Sequence, residues 1–153
     1  MAEAFAVVGI VASIAQLIDI GTKVLKRLSD LHSAAKQLPK TLRDVQVELP
    51  LLLHVLKHVE QEVEQGQMKP DAQQSILPIF KASLAEIESL DAILKSNASA
   101  VAGSRLGKLK KAILSPPEDK KVEKIHTTLH RHIRVLTFYY TVSSAKYRPP
   151  KGK

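Results

Sequence analysis

Apolar residues recur along this chain at intervals of three and four, and no segment alternates with a period of two. Ile10, Ile14, Leu17, Gly21, Val24, Leu28 and Leu31 fall on one face of a helix, and Val7, Val11, Ile18 and Leu25 make a second apolar stripe on it. Leu38-Pro39 ends this segment, because the residue before a proline disfavours the α region and proline suits the first position of the next helix. The second stripe is the most regular: Leu42, Val45, Leu49, Leu52, Leu56, Val59 and Val63 step 3-4-3-4-3-4. Pro50 inside it predicts a kink or a restart, and Gly66 a stop. A third helix, over about 71–95, presents Ile76, Phe80, Leu84, Ile87, Leu90 and Leu94, with Pro78 as a second kink. The small and polar residues 97–103 read as a loop, and 105–114 as a short basic helix. Ser115-Pro116-Pro117-Glu118 is a start signal, with Ser115 as cap, Pro116 in the first turn and Glu118 at the capping-box position. The last stripe is Val122, Ile125, Leu129, Ile133, Leu136 and Tyr140, ending near Ala145. The pattern predicts an all-α fold, a single helical bundle of four long helices plus a short one.

One run breaks the amphipathic rule. Residues 4–18 carry no charge, and a helix that is apolar all round must be buried, cleaved or placed in a membrane. A signal peptide needs a basic start, but Glu3 is the only charged side chain before the run. A lone spanning helix is too short, since fifteen residues reach roughly 22 Å against a hydrocarbon core of about 30 Å. Gly9 and Gly21 cost helix stability and so point to close packing, inside the domain for Gly21.

Composition narrows the chemistry. With 44% hydrophobic residues, 4% aromatics and no tryptophan, the core must be aliphatic. The absence of cysteine excludes disulfides, thiolate metal sites and a cysteine nucleophile. A net charge of +8 favours an acidic partner or simple solubility. His54 with His58, and His126 with His130, have the spacing of a chelating pair, but no third ligand is suggested and Val55 and Thr127 stand where a zinc protease needs its glutamate. They read as surface histidines. The glycines at 103 and 107 enclose three residues, not the four of a phosphate loop, and no strand precedes them. No nucleophile elbow exists. The chain therefore reads as non-enzymatic, without cofactor or metal. Basic residues cluster at Lys23, Lys26 and Arg27, at Arg105, Lys108, Lys110 and Lys111, and at Lys120, Lys121, Lys124, Arg131 and Arg134. With few aromatics to stack bases, an anionic membrane is the more economical partner and no nucleic acid is expected.

Two stretches carry a resemblance. The opening AFAVVGIVASIAQLIDIGTKVLKRLSDL is similar to the first helix of fungal death-effector domains of the HeLo, HeLo-like and SesA group. The run QLPKTLRDVQVELPLLLHVL resembles the SesA pattern more sharply, through Leu38, Pro39, Leu42, Arg43, Leu49 and Pro50. Leu42 stands where members often carry an aromatic. The resemblance covers nearly the whole chain and implies a HeLo-like bundle over 1–145, with its apolar helix over 4–33, and a basic linker or tail over 146–153.

It also implies a role. Such domains precede the nucleotide-binding module of NOD-like receptors and relay or execute cell death after induced oligomerisation, typically in allorecognition. On that basis Phe5, Val7, Val8, Gly9, Ile10, Val11, Ile14, Leu17 and Ile18 are expected to insert into a membrane. Several copies would line a pore with Glu3 and Asp19, associating through small residues such as Ala6, Gly9, Ala12 and Ser13. Lys23, Lys26, Arg27, Arg105, Lys108, Lys110 and Lys111 are expected to contact anionic lipid. The implied partners are membrane lipids, further copies of the chain, and downstream receptor domains. The implied location is the cytoplasm, with movement to the plasma membrane on activation. The alternative is a non-lytic adaptor that relays activation through helix–helix contacts.

Overall fold

The computed structural model describes the backbone of residues 2–35, 37–103 and 114–146, and the side chains of 9–34, 37–97 and 114–141. Within these, four helices follow one another: α1 (Ala2–Ala35), α2 (Lys40–Glu64), α3 (Pro70–Gly103) and α4 (Pro116–Lys146). The fold is an all-α bundle.

The ends of the helices follow the local chemistry. Pro39 is the N-cap of α2, one place before the first helical position expected of it, and its carbonyl accepts the Arg43 N–H at 3.0 Å, the first bond of the helix. α2 ends in a Schellman turn. Gly66 takes φ 70°, its N–H donates to Val63 O at 3.1 Å, and the Gln67 N–H donates to Glu62 O at 2.9 Å. α4 opens with a complete capping box. The Ser115 hydroxyl accepts the Glu118 N–H, and the Glu118 carboxylate accepts the Ser115 N–H at 3.2 Å. Pro50 and Pro78 interrupt neither helix. Both lie on exposed faces, so the carbonyl each leaves without a donor is on the side open to water.

Two sequence expectations need correction or fall outside the description. Residues 97–103 are helical, not a loop, and extend α3 to Gly103. The stretch alternates alanine at 98, 100 and 102, the strongest helix former, and Asn97 does not break the helix because its amide donates to Ile93 O and to the Glu118 carboxylate. The short basic helix expected over 105–114 lies outside the described residues save Leu114, which is buried and not helical.

The packing is a square. α1 lies against α2 and α3, and α4 closes the other side against the same two, so α1 is diagonal to α4 and α2 to α3. The link over 65–69 therefore crosses the diagonal, and helices that alternate in direction come to lie beside parallel neighbours. Thr41 reaches Asp119 and Glu48 reaches His130, start beside start, so α2 and α4 run parallel. Arg27 meets Asp91, each late in its helix, so α1 and α3 do too. The stripes read from the sequence supply the core, save that Leu84 and Tyr140 are only half-buried: Ile10, Ile14, Leu17, Val24, Leu28, Leu42, Leu52, Leu56, Ile76, Phe80, Ile87, Leu90, Val122 and Leu136 are fully buried. At Gly21 an added Cβ would stand 2.7 Å from the Leu53 side chain, so the glycine lets α1 and α2 close. At Gly9 it would meet nothing, so the close approach read there is absent.

Among the described residues Phe80 is the one phenylalanine at 0% exposure, set in an aliphatic interior. Phe80→Ala is expected to lower stability by about 3–5 kcal/mol, the range for emptying a buried aromatic site, measured by urea unfolding.

Candidate functional site

The residues expected to enter a membrane divide sharply. Ile10, Ile14 and Leu17 are at 0% exposure and form part of the core between α1, α2 and α3. Val11 and Ile18 belong to the second stripe and are half-buried against that core. Gly9 is partly exposed. The side chains of Glu3, Phe5, Val7 and Val8 lie outside the described residues, as do Arg105, Lys108, Lys110 and Lys111. Among the described residues no helix is long and apolar enough to cross a membrane. In the closed bundle, then, the best-buried part of the proposed insertion set is already in use, and α1 must leave its neighbours to expose it.

The charged candidates on α1 have partners. Asp19 and Lys23 pair with each other at 3.2 Å, one turn apart and both exposed. Lys26 is exposed. Arg27 is half-buried at the α1–α3 interface, where its Nε stands 2.7 Å from Asp91, and Lys95 approaches the other oxygen of the same carboxylate at 3.3 Å. Asp91 is 9% exposed, and nothing in its spacing marked it in the sequence as more than a surface acid. It is the polar clamp between α1 and α3.

The motif residues read from the sequence divide between core and surface. Leu38, Leu42 and Leu49 are buried, Pro39 precedes α2, and Arg43 and Pro50 are exposed. Arg43 borders an open cleft with Leu38, Pro39, Thr41, Asp44 and Asp119.

The histidines gather where α2 meets α4. His54 and His58 stack edge to face with centroids 4.6 Å apart, and the ring of Tyr140 lies 5.4 Å from that of His58. Glu48 Oε1 stands 3.0 Å from His130 Nδ1 and 3.8 Å from His126 Nε2. Both α4 histidines thus turn to one carboxylate, and among the described residues no three metal-ligating side chains are placed to hold an ion.

One more pair escaped the sequence reading. Ser83, fully buried on α3, lies 2.7 Å from His132 Nδ1 on α4. A hydroxyl beside a histidine is the beginning of a nucleophile, but no solvent reaches this serine. The pair acts as a buried hydrogen bond that satisfies both groups. Burial pulls the His132 pKa below its usual 6.5, against an opposing pull from Glu86 and with a minor push from Arg131.

A family model described as SesA, N-terminal domain on NACHT_NTPase and P-loop NTPases, matches residues 11–136. No curated protein and no solved structure matches the chain.

Each buried polar pair has a measurable signature. Asp91→Ala strands Arg27 at the interface and is expected to cost roughly 1–3 kcal/mol in denaturant unfolding, whereas Arg27→Met with Asp91→Leu recovers most of the loss. For His132, the unfolded chain takes up a proton near pH 6.5 while the folded chain resists. Stability is therefore flat above that value, falls as pH drops through it, and levels off below the depressed folded pKa. His132→Gln is expected to remove this component from the pH dependence of the melting temperature.

Proposed function

The chain belongs to the SesA family, and from that premise we propose that it is a membrane-acting effector of cell death, with α1 as the output element. Domains of this family stand N-terminal to NACHT and other P-loop NTPases, which supports an effector or signalling role, regulatory and not catalytic. In the finer proposal, oligomerisation of the downstream NTPase brings several copies together in the cytoplasm. Their α1 helices leave the bundle and enter the plasma membrane as a group. No single α1 is apolar over a sufficient length, so association is part of the mechanism.

The observation that carries this is the make-up of α1. It holds the uncharged run over 4–18, and only one of its two apolar stripes is fully buried: Val11, Ile18 and Leu25 remain half-covered beside Ile10, Ile14 and Leu17. A helix that needed only to complete this bundle would not require the second stripe. What opposes release is the packing of the first stripe, the close approach at Gly21 and the Arg27–Asp91 clamp. A non-lytic adaptor is the second proposal. It is favoured by the complete burial of Ile10, Ile14 and Leu17, which an adaptor working from the closed bundle never has to undo.

A cysteine-free chain allows a clean separation of the two. Gly21→Cys with Leu53→Cys places a disulfide where α1 and α2 already touch. With the chain forcibly oligomerised, the oxidised form is expected to leave anionic vesicles intact and the reduced form to release their dye. Leakage unchanged by the lock would sink release of α1. A reduced chain that assembles yet never leaks would leave the adaptor standing.

A further inference from the structure

The outer side of α4 carries a stripe that neither the core nor the ion pairs explain. Lys120, Lys124, Thr127, Arg131, Arg134 and Phe138 succeed one another at steps of four, three, four, three and four, and all are exposed. That spacing sets them on one line along the helix, about 27 Å long at 1.5 Å per residue. The line lies opposite the buried Val122, Ile125, Leu129, Ile133 and Leu136. The ion pairs among described residues involve Lys23, Arg27, Lys95, His126 and His130, and none of the four cations of the stripe. Glu123 borders the stripe, while Glu48 on α2 is turned to His126 and His130.

A second observation falls in the same place. The large hydrophobic side chains most exposed among the described residues are Val47 (70%), Phe138 (65%) and Leu51 (53%). Val47 and Leu51 flank Glu48, the residue that reaches His130. Phe138 shares with His130, Arg131 and Arg134 a shallow, open depression of about 490 Å³. Phe138 therefore stands among the cations of the row, while Val47 and Leu51 lie on the outer face of α2, opposite its buried stripe.

We propose that this side of the bundle docks on an anionic phospholipid bilayer. Lys120, Lys124, Arg131 and Arg134 face the lipid phosphates and carboxylates, while Phe138 enters the headgroup boundary. Charge complementarity and shape select this occupant. A straight, convex row of unpaired cations matches a plane of negative charge, and an exposed aromatic at its end adds the apolar anchor that charge alone lacks. A partner helix would need a deeper groove than the open depression offers, and single-stranded nucleic acid would need a row of aromatics where the stripe has one. Docking goes beyond the release of α1 and does not depend on it, because α4 is diagonal to α1 and the core stays closed.

The test is co-sedimentation of the whole chain with phosphatidylserine–phosphatidylcholine vesicles, with pure phosphatidylcholine as the neutral control. Wild type is expected to bind the anionic vesicles alone, more weakly as salt rises. Each cation at an anionic surface is worth roughly fivefold in partitioning, so Arg131→Glu with Arg134→Glu should weaken binding at least ~25-fold. Phe138→Ala should weaken it without changing the salt dependence. Lys57→Glu with Lys81→Glu, exposed on α2 and α3, should weaken it far less than the α4 double variant, and the oxidised disulfide lock between α1 and α2 should leave it unchanged. These positions on α4 are exposed, and helix content by circular dichroism confirms that each variant folds. The proposal fails if wild type ignores anionic vesicles, if the α4 double variant binds as wild type, or if the variant on α2 and α3 loses as much. It also fails if the chain binds polyuridylate or polyglutamate but no vesicle. Leakage is not read, so a locked chain that binds beside a reduced chain that never leaks removes the insertion of α1 and leaves docking intact.

Discussion

Burial of one uncharged stripe of α1 is the constraint on which the rest of this bundle depends. Ile10, Ile14, Leu17, Val24 and Leu28 are all at 0% exposure, and they need apolar neighbours along more than eighteen residues of helix. α2 and α3 supply those neighbours from both sides, and α4 shuts the square behind them. The core is aliphatic, with Phe80 the single fully buried ring among the described residues, so cohesion comes from many modest contacts spread along the helices. Such a seam holds α1 firmly as a whole while no one residue holds it alone.

Polar groups inside the seam fix its register. Apolar stripes repeat, and one repeat can substitute for the next if a helix slides by a turn. The Arg27–Asp91 pair cannot: a shift of about 5.4 Å would leave a nearly buried carboxylate facing hydrocarbon. Ser83 and His132 do the same for α3 against α4. Setting register in this way is the best-attested use of buried polar groups at helix interfaces.

The helices were legible because burial imposes a period, and the seven positions of the α2 stripe are all in the core. The stop at Gly66 and the start at Ser115 were legible because backbone chemistry at helix ends is local. What lay hidden was everything that depends on which helix meets which. Asp91 and Ser83 look like ordinary surface residues until α1 and α4 arrive beside them. Arg27 looks like one of a basic cluster, and its partner sits sixty-four positions on. Residues 97–103 mislead because their small polar members suggest a loop, while the alternating alanines between them favour helix. On α4, counting cations shows a basic cluster but not the straight line that six of its residues form, because the eye follows the apolar stripe on the opposite face.

The diagonal crossing of the link over 65–69 has a geometric outcome of its own. Four helices that alternate in direction bring the first turns of α1 and the last turns of α4 to the same end of the bundle, at opposite corners. A body carried after α4 would hang beside the tip of α1 and not at the far pole. α1 and α4 share no broad packed face, so a pull on α4 is passed to α1 chiefly through α2 and α3. Gathering such bodies into a ring would gather the α1 tips with them before a single core contact had been broken.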